Sequence, residues 1–197
     1  MRSHNRQLFL LCLSSAALVL AGPATAAVPT PASPPAEVVL QYRDEQIVTY
    51  RAWLQEGHLV VQVQHQEPWH TYAMDNVERA RERSGKQRPD TELPTVIALQ
   101  GDLRATGGWL QTAPRELSQP ELRWYTWGFE GISYFAVPIS EPDAFEAGEA
   151  KITINGQACT AERCAMIDDL EFVLSTEAPP PNDLVLEIHE LIPLAGP

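Results

Sequence analysis

The stretch Leu59–Gln64 narrows what this chain can fold into more than any other. Leu59, Val61 and Val63 alternate with Val60, Gln62 and Gln64, the two-residue period of a strand with one face buried. Wound as a helix, the same residues would scatter their apolar groups around the cylinder instead of gathering them on one stripe. Similar runs, rich in β-branched and aromatic residues, recur at Val38–Tyr42, Ile47–Leu54, Thr95–Leu99, Ile132–Ser140 and Ala150–Asn155. Leu170, Phe172 and Leu174 share a face opposite Glu171, and Glu56-Gly57 and Asn155-Gly156 supply turns. Pro138 marks Ile132–Ser140 as an edge or bulged strand. With no long helical period and no internal repeat, the expected fold is an all-β sandwich.

The ends read differently. Arg2 and Arg6, the apolar block Leu8–Leu20 and the small residues Ala24 and Ala26 form the three parts of a secretory signal peptide, cut near Ala26 or Ala27. Cys12 leaves with it. The expected organisation is a signal peptide over 1–27, a flexible Pro/Ala-rich linker over 28–36, the sandwich over 37–176 and a Pro-rich tail with room for one extra strand over 177–197. Acidic residues outnumber Lys and Arg 26 to 14, for a net charge of −12, which argues against nucleic acid or anionic lipid as a partner. No later stretch approaches the roughly 20 apolar residues of a membrane span, so no membrane insertion is expected, and the signal peptide makes export the expectation.

Residues Asn76–Glu92, dominated by Arg, Glu, Asp, Lys and Gln, read as a solvated excursion. Val77–Arg83 suits a turn or two of helix whose apolar face is too thin to dock firmly. Aromatic residues gather at Trp69-His70-Thr71-Tyr72 and again at Leu122–Phe129, which carries Trp124, Tyr125, Trp127 and Phe129. Such clusters serve cores as often as sites.

Cys159 and Cys164 lie in the connection between two adjacent strands. The chain between them can fold back until the Cα atoms reach the roughly 4.4–6.8 Å a disulfide needs, and export makes their oxidation to each other the default. A loop this short contributes at or below the low end of about 2–4 kcal/mol, so the bond is a poor staple. Short exposed disulfides exchange readily with other thiols; a passive clip at a strand end is the competing reading. Zinc is not expected, because no second Cys/His pair follows at ligand spacing and His189 stands alone. A soft-ion site from Cys159, Cys164, Met166 and a histidine is a third reading. No cofactor motif is present, and Ser133 and Ser140 lie in a strand pattern without a nucleophile elbow.

The Trp69–Tyr72 cluster, Pro94-Thr95 opening a strand, the Tyr134–Ile139 strand and Gln157-Ala158-Cys159 followed by Cys164 occur in an order that resembles the amino-terminal periplasmic domain of the thiol-disulfide interchange protein DsbD. The resemblance runs from Val38 to Leu174. It implies an immunoglobulin-like β-sandwich whose two cysteines take electrons from a membrane electron donor and pass them to thioredoxin-like periplasmic proteins. Carried over to this chain, it implies that Cys164 engages partners and Cys159 resolves. His70 and Tyr72 match positions beside the cysteines, and an aromatic cap loop falls in the region of Trp124, Tyr125, Trp127 and Phe129. The chain departs from the pattern where Ala165-Met166 replace prolines, where Asn76–Glu92 looks inserted, and in having no transmembrane or thioredoxin domain, so any donor is expected to be a separate protein. The expected activity is that of a thiol-disulfide oxidoreductase, set against a non-catalytic immunoglobulin-like interaction module. Arg163 beside Cys164 would favour a thiolate; Glu162, Asp168 and Asp169 would oppose it.

Overall fold

The computed structural model describes residues 30–40, 45–101, 103–140, 150–178, 180–181 and 186–196; the expected signal peptide lies outside them. Among the described residues the strands are β1 (Ala36–Leu40), β2 (Glu45–Gln55), β3 (His58–His65), β4 (His70–Tyr72), β5 (Val96–Gln100), β6 (Arg104–Ala105), β7 (Leu110–Gln111), β8 (Arg115–Glu116), β9 (Trp127–Phe129), β10 (Ile132–Ser140), β11 (Lys151–Cys159), β12 (Cys164–Val173) and β13 (Ile192–Pro193), with one α-helix, α1 (Asn76–Ser84). One sheet runs β1-β2-β3-β10-β7-β13, with β6 also on β10; the other runs β12-β11-β4-β9-β8, with β5 also on β11. Every pairing is antiparallel. Val61, Val63, Phe135 and Val137 from the first sheet meet Ile152, Ile154, Ala158 and Phe172 from the second in one buried cluster. The all-β sandwich expected from the alternation is the fold, with each buried aliphatic or Phe side chain contributing on the order of 1.5–3 kcal/mol.

Both faces of β3 are covered. Leu59, Val61 and Val63 enter the core, while Val60 joins Trp53, Ala136 and Leu191 in a second cluster. Leu186 and Ile188 pack on that cluster, and β13 pairs with β7. The Gln55 carboxamide donates to the Leu186 carbonyl and accepts from its N–H. The tail from 186 onward is therefore a cover stitched to the first sheet. The tether reading of 28–36 needs correcting as well: Ala32 is buried and exchanges backbone hydrogen bonds with Ser175, and the Ser33 hydroxyl accepts the Ala52 N–H. Small side chains let this segment lie close against β2 and the chain after β12.

Pro138 is on neither an edge nor a bulge. Its carbonyl accepts the Thr106 N–H, so its nitrogen, which points to the same side, faces the interval between β6 and β7. That ladder pairs Ile139 with Ala105 and Ala136 with Leu110, and the missing N–H falls where no partner strand requires it. α1 likewise docks more firmly than its thin apolar face suggests, through polar groups. Asn76 and Ala80 are fully buried. Asp75, just before the helix, accepts from Arg79 Nε at 2.9 Å, Gln111 Nε2 at 2.7 Å and the Ala195 N–H at 2.6 Å. Those donors hold its carboxyl below the usual range against the opposing effect of burial. Gly85 ends the helix in the left-handed region at φ 68°.

Candidate functional site

The two cysteines close the β11–β12 hairpin. Cys159 and Cys164 are opposite each other at the last rung, with Cα atoms 4.0 Å apart and their sulfurs bonded. The turn between them is held by the Thr160 N–H donating to the Arg163 carbonyl at 2.8 Å, and by the Glu162 and Arg163 N–H groups donating to the Thr160 hydroxyl. Alternation assigns the faces. Ala158, Ala165 and Ile167 pack with the core, so Gln157, Cys159, Cys164 and Met166 stand on the outer face of the second sheet. Gly156, at a register shift in β11, lets the strand pass beside the Pro94 carbonyl, which a side chain there would meet at 3.1 Å.

Within this pair the two cysteines are not equivalent. Cys159 is 1% exposed, whereas Cys164 is exposed. Both line an open cleft of about 850 Å³, together with His70, Tyr72, Glu92 and Trp124. His70 is the register partner of Cys159 across β4. Its ring meets Tyr72 edge-on, with centroids 5.4 Å apart, and its Nε2 lies 3.0 Å from the Tyr72 hydroxyl. Burial holds His70 below its ordinary value, against the raising effects of Glu130 and the Pro68 carbonyl, so the ring is neutral and the Tyr72 hydroxyl donates to it. Burial first and Glu92 second push the Tyr72 phenol upward, with Gln157 opposing. The Gln157 carboxamide donates to a Glu92 carboxylate oxygen and lies 3.5 Å from Cys159 Sγ. A Glu92 oxygen and both sulfurs fall within 4.8 Å of one another; that grouping is of metal-ligand size, but sulfurs bonded to each other are not thiolate ligands.

The aromatic run expected to cap the pair divides. Trp124 lines the cleft, on the loop between β8 and β9, where its N–H donates to the Gln119 carbonyl and its carbonyl accepts the Gln119 N–H. Leu117, Ser118 and Leu122 of the same loop also line it, and Leu122 is 68% exposed. Tyr125 instead lies under the Arg83 guanidinium, 5.9 Å from its centre, with its carbonyl accepting the Thr91 hydroxyl. Trp127 packs against the core and, with Arg79 and Arg83 of α1, lines a second hollow. Phe129 is buried edge-on to Phe135 at 5.5 Å. The physical reason is strand alternation: Trp127 and Phe129 share the core side of β9, leaving Gly128 toward the cleft, where a side chain would collide with the Thr71 carbonyl.

Arg163 lines the same cleft and is engaged with Glu45 and Trp69. Its Nη2 lies 3.1 Å from Glu45 Oε2 and its guanidinium sits 5.1 Å over the Trp69 ring, while Trp69 Nε1 donates to the other Glu45 oxygen. That arrangement fixes the turn and sets a carboxylate against the guanidinium charge. Glu92 and the loop from Leu117 to Gln119 escaped the sequence reading, which quoted Gln157 only as part of the cysteine motif. The one available signal was the Gln-x-Cys spacing, since Glu92 reaches Gln157 across 65 positions of chain.

No protein-family model matches the chain, and no curated protein is similar to it. Among solved structures it is similar to the N-terminal periplasmic domain of ScsB from Proteus mirabilis, at 15% identity and a TM-score of 0.44 over 71% of this chain and 51% of that one. It is also similar to the N-terminal domain of DsbD from Neisseria meningitidis in the reduced form, at 10% identity and a TM-score of 0.37 over 74% of this chain and 90% of that one. The chain thus spans about half the length of the ScsB chain it matches. It is a β-sandwich similar to the N-terminal periplasmic domains of ScsB and DsbD.

Proposed function

We propose that this protein is a periplasmic thiol-disulfide exchange protein, with Cys164 as the sulfur that meets the partner and Cys159 as the resolving sulfur. The observation that carries the reading is the asymmetry of the pair: an exposed cysteine bonded to a buried one, both lining a cleft. Exchange needs in-line approach to one sulfur and a partner thiol held close for resolution. In the reduced protein, the Cys164 thiolate attacks a partner disulfide, and the partner's second sulfur leaves as a thiolate. Cys159, as a thiolate, then attacks Cys164 Sγ; the internal disulfide forms and the first partner sulfur leaves. Two electrons and two protons pass from this pair to the partner, and a dithiol donor restores the reduced state by the reverse route. The partner class proposed is a thioredoxin-like protein. Trp124 and the loop from Leu117 to Leu122 serve as a cover that moves aside when a partner docks. Among the described residues, no helix is long and apolar enough to cross a membrane.

Trapping tests the reading. With Cys159→Ala, the mixed disulfide at Cys164 cannot be resolved and should accumulate with a thioredoxin-fold disulfide protein, while Cys164→Ala should form little. Equal trapping by the two variants would remove the assigned roles. Failure of both to trap any dithiol protein would favour the interaction module with a passive clip.

A further inference from the structure

The charged segment Asn76–Glu92 looks like an ornament in sequence, yet its last residue is carried to the sulfurs. Buried Asn76 holds it there: its Nδ2 donates to the Glu92 carbonyl at 2.9 Å and the Thr91 hydroxyl at 3.1 Å. Its Oδ1 accepts the Trp127 N–H at 2.8 Å and the Thr126 hydroxyl at 3.1 Å. One fully buried amide therefore ties the Glu92 backbone to the strand that follows the cleft loop. Beyond it, the Thr95 N–H and hydroxyl both donate to the Tyr72 carbonyl. The Glu92 side chain is then fixed by Gln157, whose carboxamide spans the carboxylate and Cys159 Sγ.

We infer that Glu92 is a positioning and tuning residue for the Cys159–Cys164 pair, its carboxylate disfavouring the thiolates and so making the pair a stronger reductant. The inference rests on the exchange function proposed above and concerns how strongly the pair gives up its electrons. A carboxylate within 4.8 Å of both sulfurs raises the cost of a second negative charge there. Thiols that resist ionisation reduce other disulfides more strongly, because their own thiolates are poor leaving groups.

The other charged and titratable groups facing the pair do not cancel this effect. On β4, His70 is held neutral by burial and the Tyr72 phenol is pushed upward. In the turn, Arg163 is paired with Glu45, and Glu162 adds negative charge. From the β8 and β9 side, Arg115 is paired with Glu130, and Glu116 is a further carboxylate. The Gln157 N–H favours a thiolate at Cys159, but a neutral amide dipole is weaker than a full charge at similar range.

The test compares Glu92→Gln, Glu92→Asp and Glu171→Gln with the parent protein. Glu171 pairs with Lys151 at the far end of the hairpin, so its replacement removes an equal charge without touching the site. Two readouts are taken: the pH profile of Cys164 alkylation after phosphine reduction, and the equilibrium with glutathione. For Glu92→Gln the alkylation profile should move about one pH unit downward and, in a glutathione buffer at a pH above that profile's midpoint, the reduced form should be favoured up to about tenfold more; Glu92→Asp and Glu171→Gln should stay close to the parent. An unchanged profile in Glu92→Gln, or an equal shift in Glu171→Gln, overturns the inference. The alkylation readout needs no exchange with glutathione, so a pair that glutathione never reduces defeats the exchange reading alone, whereas a reducible pair indifferent to Glu92 defeats this inference alone.

Discussion

The two ends of the β11–β12 hairpin are built on opposite principles. At the far end, Ile152 and Ile154 lie in the sandwich core opposite Phe172 and Leu170, and the pairing is secured by apolar burial. At the near end, the rung Cys159–Cys164 lines a polar cleft, the rung Gln157–Met166 stands on the same outer face, and the end is held by hydrogen bonds, the turn and one covalent link. The difference teaches that the fold does not depend on the disulfide. The strands are already paired and the closed loop is short, so the bond adds little stability and is left available for chemistry.

The largest effect should come from the core end. Ile152→Ala should destabilise the protein by about 2–5 kcal/mol in urea unfolding; a loss under 1 kcal/mol would break the comparison. Acid should act next, beneath the near end. His65 of β3 is buried, donates from Nδ1 to the Gly131 carbonyl and accepts at Nε2 from the Thr71 hydroxyl, both at 2.8 Å. Thr71 in turn is paired with Ala158. Burial lowers His65 to about 4 from 6.5, with His70 adding to the shift and the Gly131 carbonyl and Glu130 opposing it. The folded state therefore keeps the ring neutral while the unfolded chain binds a proton. Stability is full above about pH 6.5 and falls progressively as the pH drops toward 4, by at most roughly 3 kcal/mol. Urea midpoints across that window should show the slope, and His65→Gln should flatten it. The smallest effect should be removal of the disulfide. The Cys159→Ser/Cys164→Ser double variant should lose about 2 kcal/mol or less; a loss matching that of Ile152→Ala would make the bond a structural staple.

Sequence reading reached the sandwich because alternation is a local signal: Leu59, Val61 and Val63 pointed at the core without reference to any partner. It reached the cysteine pair for the same reason, since the turn that joins them is contiguous. Glu92 escaped because a carboxylate in a run of charges looks solvated, and its value depends on Gln157 far along the chain and on Asn76, a polar residue that burial turns into a clamp. The aromatic run was legible as a cluster but not in its orientations. Trp127 and Phe129 belong to a strand and turn inward, whereas Trp124 belongs to the loop before it. The tail was ambiguous because Leu186, Ile188 and Leu191 gain burial from a cluster that includes Trp53, Val60 and Ala136, on a sheet face whose need for cover is set by tertiary structure.

The most direct test of the central claim is the reduction potential of the Cys159–Cys164 pair in the purified protein, obtained by equilibration with defined glutathione buffers and thiol trapping. The account predicts a value well above about −300 mV, within reach of exchanging partners. A pair that stays oxidised at far lower potential would contradict it, and the bond would then be a passive clip in an interaction domain.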